Sequence, residues 1–292
     1  MKPGGKPGSA PPSVRPGFPL RLKASSAVVI ATNSIAKEAH STCTSPSYPS
    51  HYSNTPPLSQ SIKAAAKLVE QRPTPVGPGM VSEAIRARMV QKLGAQGVTD
   101  SQVLAAMGKI ERHRFVDSAL ANQAYEDTSL PIGLGQTISK PNVVARMLEL
   151  LMRGAPGKLG RVLEIGTGCG YQAALLGQLA IEVYSIERLR GLHEKARENL
   201  RPFRLPNVHL IFGDGMLGNA KGAPYAAIIC AAGGEAIPTA WIEQLAVGGR
   251  LVAPLQAPNG SQALVVIDKT TDGIRQSLLE AVHFVPLKSG TS

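Results

Sequence analysis

From Met80 onward the chain carries its apolar residues in two rhythms. Val81, Ile85, Met89 and Leu93 recur every four positions in MVSEAIRARMVQKLGAQGV, which lays one stripe along a helix that Gly94 and Gly97 close. A second short helix is predicted over 101–110, with Asp100 or Ser101 as its N-cap. A third follows the glycine-studded stretch LPIGLGQTIS and has Val144, Met147, Leu148 and Leu151 on one face. Beyond Gly160 the pattern becomes strand and helix in alternation. RVLEI (161–165), EVYSIE (182–187), VHLIF (208–212) and AAIICAA (226–232) read as buried strands, separated by GYQAALLGQLA, LRGLHEKARENL and, after the last of them, AIPTAWIEQLA as helices. RLVAPL, QALVVID and LLEAVHFVPL then give three late strands with turns at PNG and DG. Helical segments between strands imply a parallel sheet covered on both faces, and a late hairpin implies an antiparallel edge. The fold class expected is α/β, doubly wound and mostly parallel, with N-terminal helices added.

Composition divides the chain at about the same place. Of the 23 prolines, 13 lie in residues 1–79, beside Ser/Thr tracts such as STCTSPSYPSHYSNTPPLSQS. That segment reads as a disordered leader, and residues 80–292 as the folded domain. The leader carries nine Lys/Arg against two Asp/Glu and so holds most of the net charge of +11. A basic tail can recruit polyanions, but no aromatic or Arg-rich pattern repeats in it, and the expectation is a solvated tail with no specific nucleic acid. After Met1 the next methionine is Met80, so a product beginning there is the alternative to a functional extension.

Three scattered cysteines, Cys43, Cys169 and Cys230, make neither a disulfide framework nor a metal site, and they point to a reducing compartment. No run reaches the ~18 to 20 apolar residues of a membrane span. AVVIA (27–31) is short for a signal core. The expectation is a cytoplasmic, monomeric protein without a membrane partner.

The chemistry lies at the strand ends. EIGTGCGYQ (164–172) closes the first strand and opens a helix, with Gly166, Gly168 and Gly170 allowing the backbone to turn tightly and approach a ligand. A dinucleotide fingerprint would need a glycine where Tyr171 stands, and no P-loop sequence occurs. Glu187 ends the second strand 21 residues after Gly166, where a carboxylate can accept from two ribose hydroxyls. Asp214 and Gly215, in FGDGM, follow the third strand within reach of an adenine edge. Three loops facing one crevice describe a nucleoside site. His113 and His193 read as surface histidines, Trp241 as core packing or lid, and Cys230 as a buried small hydrophobe.

With these residues in view, EIGTGCGY (164–171), SIER (185–188), GDG (213–215) and GGRLV (248–252) resemble the successive motifs of class I S-adenosylmethionine-dependent methyltransferases, whose fold is Rossmann-like. The stretch HRFVDSALANQAYEDTSLPIGLGQTISKPNVVARM (113–147) and the ending AVHFVPL (281–287) resemble the protein-L-isoaspartate O-methyltransferase family. The likeness covers about residues 80–287. It implies methyl transfer from S-adenosylmethionine to the free α-carboxylate of L-isoaspartyl residues in damaged proteins, without a metal. It also implies Ser139 as the catalytic-site residue, and Thr137, Ile138, Glu164, Gly166, Thr167, Gly168, Cys169, Gly170, Glu187, Asp214 and Gly215 as cofactor-binding residues. Ser139, just before Lys140 and Pro141, is further expected to sit at a helix start, its cap geometry aiming its hydroxyl and the helix's free N–H groups at the acceptor carboxylate. Three positions depart from the family pattern: Ala226 stands where an acid usually follows the Pro-aromatic pair, Cys169 where Ser is often found, a small-for-small change, and His283 where Arg often precedes FVPL. The alternatives are a class I methyltransferase for a small molecule or nucleic acid, and a nucleoside-binding interaction module.

Overall fold

The computed structural model describes residues 78–257 and 259–292. The expected disorder of the leader and the free Cys43 therefore lie outside the described residues.

Helix α1 (Pro78–Ala95) forms as its period-four stripe predicts, yet only part of that stripe is covered. Met89 and Leu93 are buried, whereas Ile85 is 36% exposed, because the apolar cluster beneath the helix reaches only its second half. Helix α2 (Ser101–Lys109) takes Asp100 as N-cap, its carboxylate accepting from the N–H groups of Gln102 and Val103. That choice resolves the ambiguity between Asp100 and Ser101, since only a side chain outside the first turn can reach back to those donors.

The glycine-studded stretch becomes a two-stranded hairpin of β1 (Leu130–Gly133) and β2 (Gln136–Ile138), which no strand pattern in the sequence had signalled. Its turn places Gly133, Leu134 and Gly135 all at positive φ. Helix α3 (Pro141–Met152) then buries Val144, Met147, Leu148 and Leu151, as predicted.

The alternating half follows as β3 (Leu159–Ile165), α4 (Tyr171–Leu179), β4 (Ala180–Glu187), α5 (Arg190–Leu200), β5 (Val208–Phe212), β6 (Tyr225–Cys230), α6 (Thr239–Gln244), β7 (Leu245–Gln256), β8 (Gln262–Thr270) and β9 (Gly273–Val282). Seven strands pair in the order β5-β4-β3-β6-β7-β8-β9. Pairs from β5 through β7 are parallel, and β8 and β9 add antiparallel. The expected doubly wound sheet with an antiparallel edge is thus formed. Two boundaries differ. Strand β7 starts at Leu245, inside the predicted last helix, and β9 begins at Gly273 and ends before HFVPL, which leaves that stretch free to cross the strand ends.

The chain runs outward from β3 to β5 and returns to β6 on the other side of β3. Between β3 and β6 the connections leave in opposite directions, and a crevice opens at the C-terminal strand ends. Two apolar clusters pack the faces of the sheet, one including α2, α3 and α4, the other centred on Trp241 and Tyr225.

Arg112 is buried completely against the first of these. Its Nε donates to Ala124 O at 2.7 Å, its guanidinium lies 4.9 Å from the centre of the Tyr171 ring, and among the described residues it forms no ion pair. Burial lowers its pKa below the usual arginine value. The two histidines read as surface groups are only partly so. His113 Nδ1 lies 2.7 Å from Tyr125 Oη and 3.2 Å from Ser82 Oγ, and His193 Nδ1 is buried without a partner. In both, burial lowers the pKa.

Trp241 is core, as expected, and it is also a tie. Its Nε1 donates to Gly215 O at 2.8 Å, which anchors the loop after β5 from below. Trp241→Phe keeps most of the ring and removes that bond, so urea unfolding should show a loss of about 0.5–1.5 kcal/mol. An unchanged midpoint would show that the loop holds itself.

Candidate functional site

The crevice is built by three strand-end loops and one hairpin. After β3 the chain turns through Gly166, Thr167, Gly168, Cys169 and Gly170 into α4. Gly168 (φ 57°) and Gly170 (φ 93°) are left-handed and tightly enclosed: a Cβ on Gly168 would stand 3.3 Å from Ile132 Cδ1, and one on Gly170 would stand 3.1 Å from Leu200. A side chain at either point would thus be strained in its backbone and crowded by a neighbour. Gly170 is the N-cap of α4 and offers no side-chain acceptor, so the helix start presents backbone donors.

Glu187 ends β4 and is only 4% exposed. Its Oε2 accepts from Gly168 N–H at 2.8 Å and its Oε1 from Leu189 N–H at 2.9 Å. Each oxygen keeps a second lone pair, and the residue lines the crevice. The expected geometry of an acid beside the glycine loop is present, with the carboxylate also shaping the loop.

Asp214 has a different role from the one expected at an adenine edge. Its Oδ1 accepts from Met216 N–H at 2.9 Å and its Oδ2 from Gly290 N–H at 2.7 Å, so the side chain builds the turn and clasps a distant segment. Gly215 lines the crevice in its place.

The fourth wall is the β1–β2 hairpin and its exit, where Ile132, Leu134, Gln136, Thr137, Ile138 and Ser139 all line the crevice. Ser139 does not cap α3. The N-cap position is Lys140, which makes no side-chain cap bond, and the Asn142 N–H is taken by Asp127 Oδ1 at 2.9 Å. Pro141 has no N–H to give, and an acid 15 residues upstream has taken a donor that was expected to serve a ligand. Among the described residues the Ser139 hydroxyl makes no hydrogen bond, and it is half-buried at the crevice wall.

Val285, Pro286, Leu287 and Lys288 close the space from the side of β9. They are held there by Gly233 N–H donating to Val285 O and Leu287 N–H donating to Gly233 O, both at 2.8 Å. The enclosed volume is about 260 Å³.

Of the residues named from sequence, Thr137, Ile138, Ser139, Gly166, Thr167, Gly168, Cys169, Glu187 and Gly215 line this one space, while Gly170, Glu164 and Asp214 support it from behind. The sequence reading missed Gln172, Arg188 and the 285–288 segment. Gln172 carried a signal as a polar residue inside an apolar helix start, and Arg188 and residues 285–287 lay within the motifs SIER and AVHFVPL.

Beneath the loop, Glu164 is fully buried. Ser185 Oγ donates to its Oε2, Thr167 Oγ1 lies 2.6 Å from Ser185 Oγ, and Oε1 has no partner. Burial pushes the Glu164 carboxyl up to about 8. Gln172 Nε2 is also buried and unpartnered. Two buried polar atoms without a full hydrogen bond among the described residues, beside a glycine cradle, suit a small polar ligand better than an apolar one. Cys169 and Cys230 are buried thiols, pushed up to about 11 and about 12 by desolvation, and are inert at neutral pH. Among the described residues no group of three His, Cys, Asp or Glu is placed to hold a metal ion.

Of the three departures, Cys169 lines the crevice and the other two fall away from it. Ala226 sits near the start of β6, at the opposite end of the sheet, with its Cβ against Gly160. His283 is exposed beyond the end of β9.

Comparison with known proteins follows the same outline. The family model described as protein-L-isoaspartate(D-aspartate) O-methyltransferase matches residues 84–292. The protein-L-isoaspartate O-methyltransferases of Methylibium petroleiphilum and Leptothrix cholodnii are each 63% identical, over 75% and 74% of this chain and 82% and 77% of their own. A solved protein-L-isoaspartate O-methyltransferase aligns with a TM-score of 0.64 and 28% identity over 70% of this chain and 66% of that one. A Plasmodium falciparum structure in complex with S-adenosyl-L-homocysteine shares the fold, with a TM-score of 0.62 and 24% identity over 70% of this chain and 98% of that one. A family match across the whole described domain, joined to a crevice assembled from the residues its motifs name, places this chain in the protein-L-isoaspartate O-methyltransferase family.

Proposed function

We propose that the protein transfers a methyl group from S-adenosylmethionine to the free α-carboxylate of L-isoaspartyl residues in damaged proteins, the step that starts their repair through a succinimide. The observation that carries this reading is the union of two half-sites in one crevice. Glu187 and the glycine loop frame a nucleoside end, and the unpaired Ser139 hydroxyl stands on the facing wall.

When bound, the cofactor supplies a methyl group made electrophilic by its sulfonium. The residues of the chain have a lighter task than acid–base catalysis. A carboxylate with a pKa near ~4 is already ionised at neutral pH, so no general base is required of the protein. Ser139 Oγ–H donates to that carboxylate and fixes its direction. The apolar wall of Ile132, Ile138, Val144 and Val285 excludes water that would otherwise stabilise the acceptor ground state. Lys288 at the rim adds a positive charge suited to an anionic peptide. Alignment of this kind can supply ~7 to 11 kcal/mol of the barrier reduction.

The rest of the reading concerns setting. The catalytic unit is residues 80–292, acting as a monomer in the cytoplasm, with the leader outside it and without a specific nucleic-acid or membrane partner. The start of the family match at residue 84 supports that boundary. Among the described residues no helix is long and apolar enough to cross a membrane.

Three outcomes test the proposal. With labelled cofactor, an isoaspartyl peptide should accept methyl groups while its aspartyl twin does not; labelling of both peptides, or of RNA alone, would overturn the substrate assignment. Ser139→Ala should lower kcat by ~10- to 100-fold, the equivalent of one hydrogen bond to a charged acceptor, with cofactor affinity unchanged by calorimetry. Full turnover in that variant would remove Ser139 from the chemistry. Glu187→Ala should weaken cofactor binding by about 1.5–3 kcal/mol or more, and wild-type affinity would refute the ribose contact.

A further inference from the structure

Under the glycine loop runs a buried polar chain whose two ends reach the crevice. Thr167 and Gln172 line it, Ser185 and Glu164 lie behind them at 0% exposure, and the links are Thr167 Oγ1 to Ser185 Oγ at 2.6 Å and Ser185 Oγ–H to Glu164 Oε2. The chain ends in a loose contact between Glu164 and Gln172: the Gln172 amide is near enough to favour the ionised carboxyl, yet among the described residues neither Glu164 Oε1 nor Gln172 Nε2 makes a full hydrogen bond. Among the described residues no cation faces the carboxyl. From β4 it meets Ser185 and Glu187, from α4 Gln172, and from β6 the Cys230 thiol. Desolvation is the main force that raises the proton affinity of Glu164, Ser185 and Gln172 oppose it, and Glu187 adds to it.

We propose that this chain is a positioning element of the cofactor site that couples binding to proton release: Glu164 holds a proton in the protein alone and surrenders it when the cationic donor settles over the loop. The inference rests on the cofactor reading given above. The ligand's sulfonium and ammonium groups outweigh its one carboxylate, and a net opposite charge brought within ~4 to 6 Å would lower a carboxyl pKa by ~1 to 3 on the pH scale. Starting from about 8, such a change carries Glu164 through neutrality. The O–H bond of the carboxyl breaks, its electron pair stays on oxygen, and the proton passes to buffer. The ionised Oε1 then becomes an acceptor for the Gln172 amide, which draws that side chain into a fixed orientation at the crevice wall.

The same group links pH to stability. Its folded-state value lies above the ordinary 4.5, so its contribution to stability is complete below that value and is lost as pH rises through about 8.

Calorimetric titration of the intact chain with S-adenosylmethionine, in buffers of differing ionisation enthalpy between pH 6 and 9, counts the protons exchanged per ligand bound. Wild type should release between half a proton and one proton per ligand near pH 7.5, and Glu164→Gln should release none while still binding. Ser185→Ala removes a donor that favours the ionised form, so the pH of greatest release should move upward. Binding with no proton exchange, an equal count in Glu164→Gln, or an unmoved maximum in Ser185→Ala would each overturn the coupling. Absence of binding by wild type would instead count against the cofactor assignment itself. If Glu164→Gln does not fold, the Ser185→Ala shift decides the matter alone.

Discussion

Two carboxyl groups end neighbouring parallel strands, Glu164 on β3 and Glu187 on β4, and neither has a basic partner among the described residues. A buried carboxyl group needs hydrogen-bond donors or must keep its proton. Glu187 meets the requirement with backbone N–H groups from Gly168 and Leu189, and Glu164 with the Ser185 hydroxyl and a raised pKa. The bond from the Gly168 N–H to Glu187 holds the turn at a residue whose own backbone is left-handed. From that turn follow the start of α4, the placement of Tyr171 and the shape of the crevice.

Other parts of the molecule press against the turn from outside. Ile132 of the hairpin approaches Gly168, Leu200 of α5 approaches Gly170, and Tyr171 is held between the Arg112 guanidinium and the edge of Phe115. The Lys195 ammonium donates to Ile132 O at 2.9 Å, which ties α5 to the hairpin carrying Ser139. Ser139 is therefore positioned by packing against the glycine loop, so a change on one wall is felt on the other. Such mutual support between a reacting wall and a binding wall is what near-attack alignment requires.

Much of this was legible in the sequence because it depends on local rules. Helix stripes, the Asp100 cap, the order of strands and the spacing between Gly166 and Glu187 follow from periods and turn chemistry that a short window contains. The misreadings share a cause in partners far along the chain. Asp127 took the helix donor expected for Ser139, and the Gly290 N–H engaged the Asp214 carboxylate from 76 residues away. The β1–β2 hairpin escaped notice because its strands span four and three residues around a glycine-rich turn, too short for an alternation to show. Ile85 looked like core because a stripe announces which face is apolar and says nothing of how far the covering surface extends.

The segment from Val285 to Ser292 is stitched across the strand ends, to Gly233, to Asp214, and to the backbone of Arg188 and Arg190. Those contacts order events during synthesis. Chains emerge from the ribosome N-terminal end first, at ~5 to 20 residues per second, so every strand of the sheet is translated before the wall that completes the crevice. A nascent domain can form its glycine turn and its hairpin while the site still lies open on one side. The crevice is therefore closed on that side only after this segment has been made.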